Sequence, residues 1–249
     1  MSNVRTRPLM IEPEGTAEPC ITCEARAHSV CNAVDHADLD RLAALATPLV
    51  MEAGRCFIEE GDPAEHFFNV TQGTAKLFKL LPDGRRQITG FATTGHFLGL
   101  AVSSIYAFGA EAVDEVRVCR FQRTKLRLML DDYPAMEKRL LEVASNELVA
   151  AQEQMLLLGR KTARERLASF LVARASTATG VTLFGQHGAS VVSLPMTRSD
   201  IADYLGLTIE TVSRTLTRFK TEKLIDVPNA SQIIVRNFVA LESLATGLH

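Results

Sequence analysis

Residues 199–220, SDIADYLGLTIETVSRTLTRFK, decide the fold class of the C-terminal part of the chain. Ile201, Ala202 and Leu205 give a short helix its apolar face, Gly206 supplies a turn, and Thr208 is a suitable N-cap for a second helix. On that second helix Ile209, Val212, Leu216 and Phe219 recur at helical spacing and form the stripe expected to be buried. Glu210, Ser213 and Arg214 fall on another face near the N-terminus, the part of a recognition helix that meets base edges. Arginine matches guanine, glutamate accepts from cytosine and serine serves either, so these three are candidates for base readout. A Glu210–Arg214 pair at i, i+4 would hold both side chains in register. Thr208, Arg218 and Lys220, with Lys223, are candidates for contacts to the nucleic-acid backbone, which carry no sequence information. The flanks fit the same pattern: an amphipathic helix over 161–175, a hairpin of Val181–Leu183 with Val191–Leu194, and a last hairpin, IDVPNASQIIVRN, over 225–237. Together these make a winged helix-turn-helix.

Charge supports that division. The whole chain of 249 residues carries a formal charge of only -2. Counted by block, 160–249 holds 11 Lys/Arg against 7 Asp/Glu, and 1–159 holds 16 against 22. The near-neutral total therefore joins an acidic part to a basic part, the latter suited to a polyanion. At 47% hydrophobic residues the chain can bury a core. No Gly-rich phosphate loop, Ser-His-Asp arrangement or H-E-x-x-H motif is present, so an enzyme is not expected. The first twenty residues lack the apolar core of a signal peptide, and five cysteines are too few, and odd in number, for a disulfide scaffold. A cytoplasmic, reducing compartment is the expectation. Residues 87–110 carry no formal charge and are long enough to span a bilayer, but Gly90, Gly95, Gly99 and Gly109, with His96 and the Thr/Ser pairs, interrupt every apolar run. Buried strands and turns are expected there, not a membrane span.

From Leu49 to Phe121 short apolar runs alternate with turn signals at Gly61-Asp62-Pro63, Gly73, Asp83-Gly84 and Gly95, about 11 or 12 residues apart, the mark of an antiparallel barrel or sandwich. HFFNVTQG, TAKLFKLL and RQITGFAT read as strands, with PDG turning the last two into a hairpin. After Pro134 the period becomes helical: Met136, Leu140, Ala144, Leu148, Ala151, Met155 and Leu158 recur every three or four residues. An Ala/Leu/Met seam of that length suits packing along a partner helix, hence a homodimer.

Cys20, Cys23 and Cys31 form C-x2-C-x7-C in an N-terminal arm with little structure of its own. Three thiols this close need a fourth ligand, and spacing alone allows zinc with His28 or His36, or an iron–sulfur cluster with Cys56 or Cys119. Cys56 enters a strand and is expected in the core. In EVRVCRF, Cys119 alternates with Val116 and Val118, so it faces the other side of its strand.

The order of acidic barrel, long helix and basic winged helix-turn-helix resembles the CRP/FNR superfamily of bacterial transcription regulators along almost the whole chain. The most specific stretch, TRSDIADYLGLTIETVSR at 197–214, is similar to the DNA-binding motif of FNR-type members, including their E-x-x-S-R, here Glu210, Ser213 and Arg214. The resemblance implies an α+β architecture: a cysteine-bearing arm (1–35), a cupin-like β-roll sensor (36–130), a long dimerisation helix (131–159) and a winged helix-turn-helix (160–249). It further implies a cytoplasmic, homodimeric activator that binds an inverted repeat of TTGAT-type half-sites in double-stranded DNA. The VCRF stretch at 118–121 matches the ligand strand of FNR-type oxygen sensors, and the arm spacing resembles the FnrN/FixK group. On that resemblance Cys20, Cys23, Cys31 and Cys119 would hold a [4Fe-4S] cluster, and the regulator would serve anaerobic or microaerobic genes while the cluster is intact. Zinc, a thiol switch or another ligand on the same fold is the alternative. Cys56 matches no family ligand. The PDGRR turn at 82–86 would contact RNA polymerase. Binding of cAMP is not expected, because the phosphate-binding stretch reads Tyr106-Ala107 and a buried phosphodiester would lack a guanidinium partner.

Overall fold

A computed structural model describes residues 9–10, 18–100, 103–179 and 190–247. The chain divides into two compact units, 1–81 with 89–150 and 82–88 with 151–249.

Among the described residues nine strands build the β-roll: β1 (Leu9–Met10), β2 (Ala46–Met51), β3 (Cys56–Ile58), β4 (His66–Gln72), β5 (Ala75–Leu80), β6 (Arg86–Ala92), β7 (Phe97–Leu98), β8 (Gly109–Ala112) and β9 (Val116–Gln122). They form two sheets, ordered β1-β2-β9-β4-β7 and β3-β8-β5-β6. The strands expected from HFFNVTQG, TAKLFKLL and RQITGFAT are β4, β5 and β6, and 87–110 does hold short strands and turns. Gly61, Gly73, Gly84 and Gly95, the glycines of the four expected turns, all take positive φ. At Gly95 (φ 91) the requirement is double, since an added Cβ would also lie 2.8 Å from the Cβ of His28 in the arm.

The strand period sorts β9 between two cores. Val116 and Val118 are fully buried with Val70, Phe68 and Leu49 between the sheets. Phe121, also fully buried, packs on the opposite face with Phe67, Phe97, Leu126 and Met136, and Cys119 packs against that second cluster. Each buried Leu or Phe contributes about 1.5–3 kcal/mol. The second cluster is closed by the arm and by helices. The arm comprises α1 (Glu18–Ile21), 3-10 turns at Glu24–His28, Val30–Ala33 and His36–Asp38, and α2 (Leu39–Leu45). It is therefore more structured than the sequence suggested, because Ala25, Val30, Val34, Leu39 and Leu42 are apolar enough to dock it. After β9 come α3 (Arg123–Asp132) and α4 (Pro134–Arg160). Arg123 ties α3 back to the roll: its Nη1 donates to the carbonyl of Ser103 and its Nη2 to that of Gly99, at 3.0 and 2.7 Å.

α4 corrects the expected seam. Met136 and Leu140 are buried in the second cluster of their own chain, whereas Ala144, Leu148, Ala151 and Met155 are exposed. Leu141 is 68% exposed and starts an exposed heptad: Leu141, Leu148 and Met155 at one position, Ala144 and Ala151 at the other. Leu140 satisfies the same helical spacing as Leu141, and only the roll beneath it decides which leucine is covered.

In the second unit α5 (Ala163–Thr179) packs against α8 (Phe238–Thr246), a helix the sequence reading did not anticipate. Strand β10 (Ser190–Ser193) pairs with β12 (Gln232–Val235), which also pairs with β11 (Ile225–Asn229). The expected hairpin partner of 191–194, Val181–Leu183, lies outside the described residues; the partner observed is β12. Helix α6 (Arg198–Leu205) begins with a reciprocal cap between Thr197 and the buried Asp200. It ends at Gly206, whose φ of 62 is left-handed and turns the chain into α7 (Ile209–Thr221).

Candidate functional site

The arm and β9 bring four thiols toward the second cluster. Cys20 lies in α1, Cys23 precedes the first 3-10 turn, Cys31 sits in the second, and Cys119 sits mid-strand on β9. Cys31 is buried and the other three are half-buried; all are free thiols. Burial pushes the Cys31 thiol up to about 11, with Cys20 and Cys23 adding to the rise, while the Ser29 hydroxyl and the Arg26 guanidinium oppose it. Cys119 is pushed up to about 12, first by burial and then by Cys31, Cys20 and Cys23. Burial and Cys23 also raise Cys20, against Arg26. These thiols thus oppose one another's ionisation, and a positively charged group among them would relieve that opposition.

The polar surroundings were not foreseen. Ser29, fully buried, accepts from the Cys31 backbone N–H at 3.2 Å and donates to the Arg26 carbonyl at 3.3 Å. Arg26 donates from Nη2 to the Val34 carbonyl at 2.9 Å, and its Nε has no partner. Asn69 on β4 is opposite Cys119 in register, and its Nδ2 lies 3.9 Å from Cys31 Sγ. Its Oδ1 is buried without a partner. The one signal for Asn69 in the sequence was a carboxamide inside the apolar run HFFNV. The thiols, the Asn69 Nδ2 donor and the unpartnered Nε–H of Arg26 suit a thiolate-ligated group, which accepts hydrogen bonds. His28 and His36, the candidate zinc ligands, are both exposed. Among the described residues no three His, Cys, Asp or Glu side chains are gathered so as to hold a single metal ion.

Cys56 departs from its expected place in the core. It is half-buried on β3, its Sγ donates to the Ile58 carbonyl at 3.1 Å, and it lines a cavity of about 370 Å³ with Arg55, His66, Tyr106 and Arg120. The residue at the end of a three-residue strand reaches the rim, which alternation could not reveal. Burial raises its thiol, helped by Glu59 and Glu111. Tyr106 donates from its hydroxyl to the His66 carbonyl at 2.9 Å, so the side chain in the phosphate-binding stretch is tied to the wall of the roll.

On the helix-turn-helix, Ile201, Ala202 and Leu205 are buried as expected, as are Val212, Leu216 and Phe219. Ile209 is not: it is 50% exposed, because the first residue of α7 projects beyond the packed face that begins at Val212. Thr208 caps α7 by accepting from the Thr211 N–H at 3.2 Å. Glu210, Ser213 and Arg214 are exposed on one face, and the expected Glu210–Arg214 ion pair is not formed. Lys220 and Lys223 are exposed. Arg218 donates from Nε to Glu222 at 2.9 Å, and Arg164 pairs with the same carboxylate. Among the described residues no helix is long and apolar enough to cross a membrane.

Comparison with known proteins joins these parts. The Crp-like helix-turn-helix domain family matches residues 165–244 and the cyclic nucleotide-binding domain family matches 48–133. The nitrogen fixation regulation protein FixK of Bradyrhizobium diazoefficiens is 41% identical over 220 residues, covering 88% of this chain and 90% of the relative. This chain belongs to the CRP/FNR family of transcription regulators. The transcriptional activator protein FnrL of Cereibacter sphaeroides is 36% identical to this regulator, covering 89% of this chain and 90% of its own. The solved structure of FixK2 from Bradyrhizobium japonicum matches with a TM-score of 0.72 at 36% identity, over 80% of this chain and 96% of its own.

Ser29→Ala removes the acceptor of the Cys31 N–H in a buried setting, a loss of about 1–3 kcal/mol. Faster amide exchange confined to residues 24–34, with the β-roll unchanged, is the expected result in hydrogen-exchange mass spectrometry.

Proposed function

We propose that this CRP/FNR regulator responds to oxygen through a [4Fe-4S] cluster held by Cys20, Cys23, Cys31 and Cys119, and acts as a homodimeric activator on an inverted-repeat DNA site while the cluster is intact. The observation that supports the reading is that Cys31, Cys20 and Cys119, distant in sequence, pack into one cluster on one face of the roll, with Cys23 near enough to raise the Cys119 thiol. A four-iron cluster takes one thiolate per iron, so its ligands spread over the cluster and need not crowd a single ion. Its iron would supply the positive charge that mutually opposed thiolates require and the oxygen-reactive chemistry. The protein's part is to hold the arm on the roll: Ser29 fixes the backbone of Cys31, and Ala25, Val30 and Val34 anchor the turns on either side.

The exposed heptad of α4 supports a dimer along Leu141, Ala144, Leu148, Ala151 and Met155, which would space two recognition helices for two half-sites. Glu147 is exposed beside this heptad, while Glu142 is engaged by Arg139 at 2.9 Å. Glu210, Ser213 and Arg214 on α7 would read bases, and Thr208, Lys220 and Arg218 would meet phosphates, Arg218 in exchange for Glu222. In the PDGRR turn Arg85 is exposed, its backbone N–H and side chain both held by Asp83, a presentation suited to RNA polymerase.

Anaerobic purification tests the cluster directly: about four iron and four sulfide per chain with visible absorbance lost in air support it, and colourless protein with one zinc overturns it. Cys119→Ser should abolish the chromophore while Cys56→Ser retains it. Leu148→Arg should yield folded monomer by sedimentation, since two buried guanidinium groups would meet across the seam. Arg214→Ala should relax discrimination at one base pair by about 1–3 kcal/mol in binding titrations; a uniform loss across sequences would place Arg214 on phosphate instead.

A further inference from the structure

We infer that Asn69 is a positioning residue of the cysteine centre, whose side-chain amide donates an N–H···S hydrogen bond to the Cys31 sulfur and thereby raises the reduction potential of the bound cluster. The inference rests on the iron–sulfur reading above and concerns a side chain that holds no iron itself. Asn69 is only 2% exposed. On β4 it shares a face with Phe67, which belongs to the second cluster, while its neighbours Phe68 and Val70 point into the first. Its neighbours on that face belong to an apolar cluster. A carboxamide there leaves Oδ1 buried without a partner, which costs stability. The cost is compensated only if the other end of the amide has a use, and Nδ2 is directed to a sulfur, 3.9 Å from Cys31 Sγ, the long end of an N–H···S contact.

The location is equally specific. Asn69 pairs in register with Cys119 on β9, so one side chain stands beside the two ligands that come from different parts of the chain, one from the arm and one from the roll. Sulfur that carries thiolate charge accepts a hydrogen bond more strongly than a thiol does, so the amide favours the ligated state over the empty one. Because a reduced cluster is more negative than an oxidised one, donors to its sulfurs stabilise the reduced form and raise the potential.

The experiment uses full-length protein reconstituted anaerobically with ferrous iron and sulfide, comparing wild type with Asn69→Leu and Asn69→Asp. Both variants lack the donor; leucine also removes the orphaned oxygen, and aspartate adds a charge of the wrong sign. Expected results are a lower midpoint potential in both variants, faster iron loss to a ferrous chelator by about tenfold, and the larger effect in aspartate. Metal-free Asn69→Leu should melt no lower than metal-free wild type, which separates this role from a purely structural one. A leucine variant whose cluster keeps the wild-type potential and chelator resistance overturns the inference while leaving the iron–sulfur reading intact. Failure of wild type itself to retain iron and sulfide overturns both.

Discussion

The alternation of side chains along β9 is the constraint on which the β-roll unit depends. A strand can serve two cores only if successive residues turn to opposite faces, and here Val116 and Val118 close the interior of the roll while Cys119 and Phe121 face the helices and the arm. A register slip of one residue would drive a cysteine into the roll and a valine toward the arm. The slip is prevented by two neighbours, since β2 and β4 both pair with β9 along nearly its full length. Cys119 thus sits on a strand paired along both edges, where Cys20 and Cys31 of the arm pack into the same cluster.

Where one periodicity governs, the sequence was readable. The face of Cys119 followed from alternation with two valines, and the helix-turn-helix followed from its apolar spacing, its turn glycine and its N-cap. The barrel turns were legible because each needs a left-handed residue, and glycine is the residue that supplies it without strain. Helix α8 went unread because it is only nine residues long and its burial depends on α5 lying opposite.

The misreadings share a cause. Ile209 and Leu140 both lie on helical stripes, yet one is uncovered and the other is covered by its own roll; periodicity identifies a face and does not say what lies against it. Cys56 sits at the rim of its sheet for the same reason. Of the polar partners of the thiols, Ser29 and Arg26 left no sign in the sequence and Asn69 only a carboxamide in an apolar run, because their meaning lies in a three-dimensional meeting of arm and sheet.

The contact between His28 and Gly95 carries a further consequence. Gly95 donates its N–H to the Val70 carbonyl, and the Val70 N–H is bonded to the carbonyl of His96, so the spot where the arm touches down is fastened to the residue beside Asn69. That touchdown is a close fit of carbon against backbone with no charge in it. Counter-ions do not screen such a contact, whereas another of the arm's ties, the exposed ion pair of Arg41 on α2 with Asp132 on α3 at 2.7 Å, is open to screening. Association with a phosphate backbone through α7 likewise weakens as salt rises. At Gly95 the arm therefore rests on a contact that salt leaves alone, while the helix-turn-helix surface answers to the ionic medium.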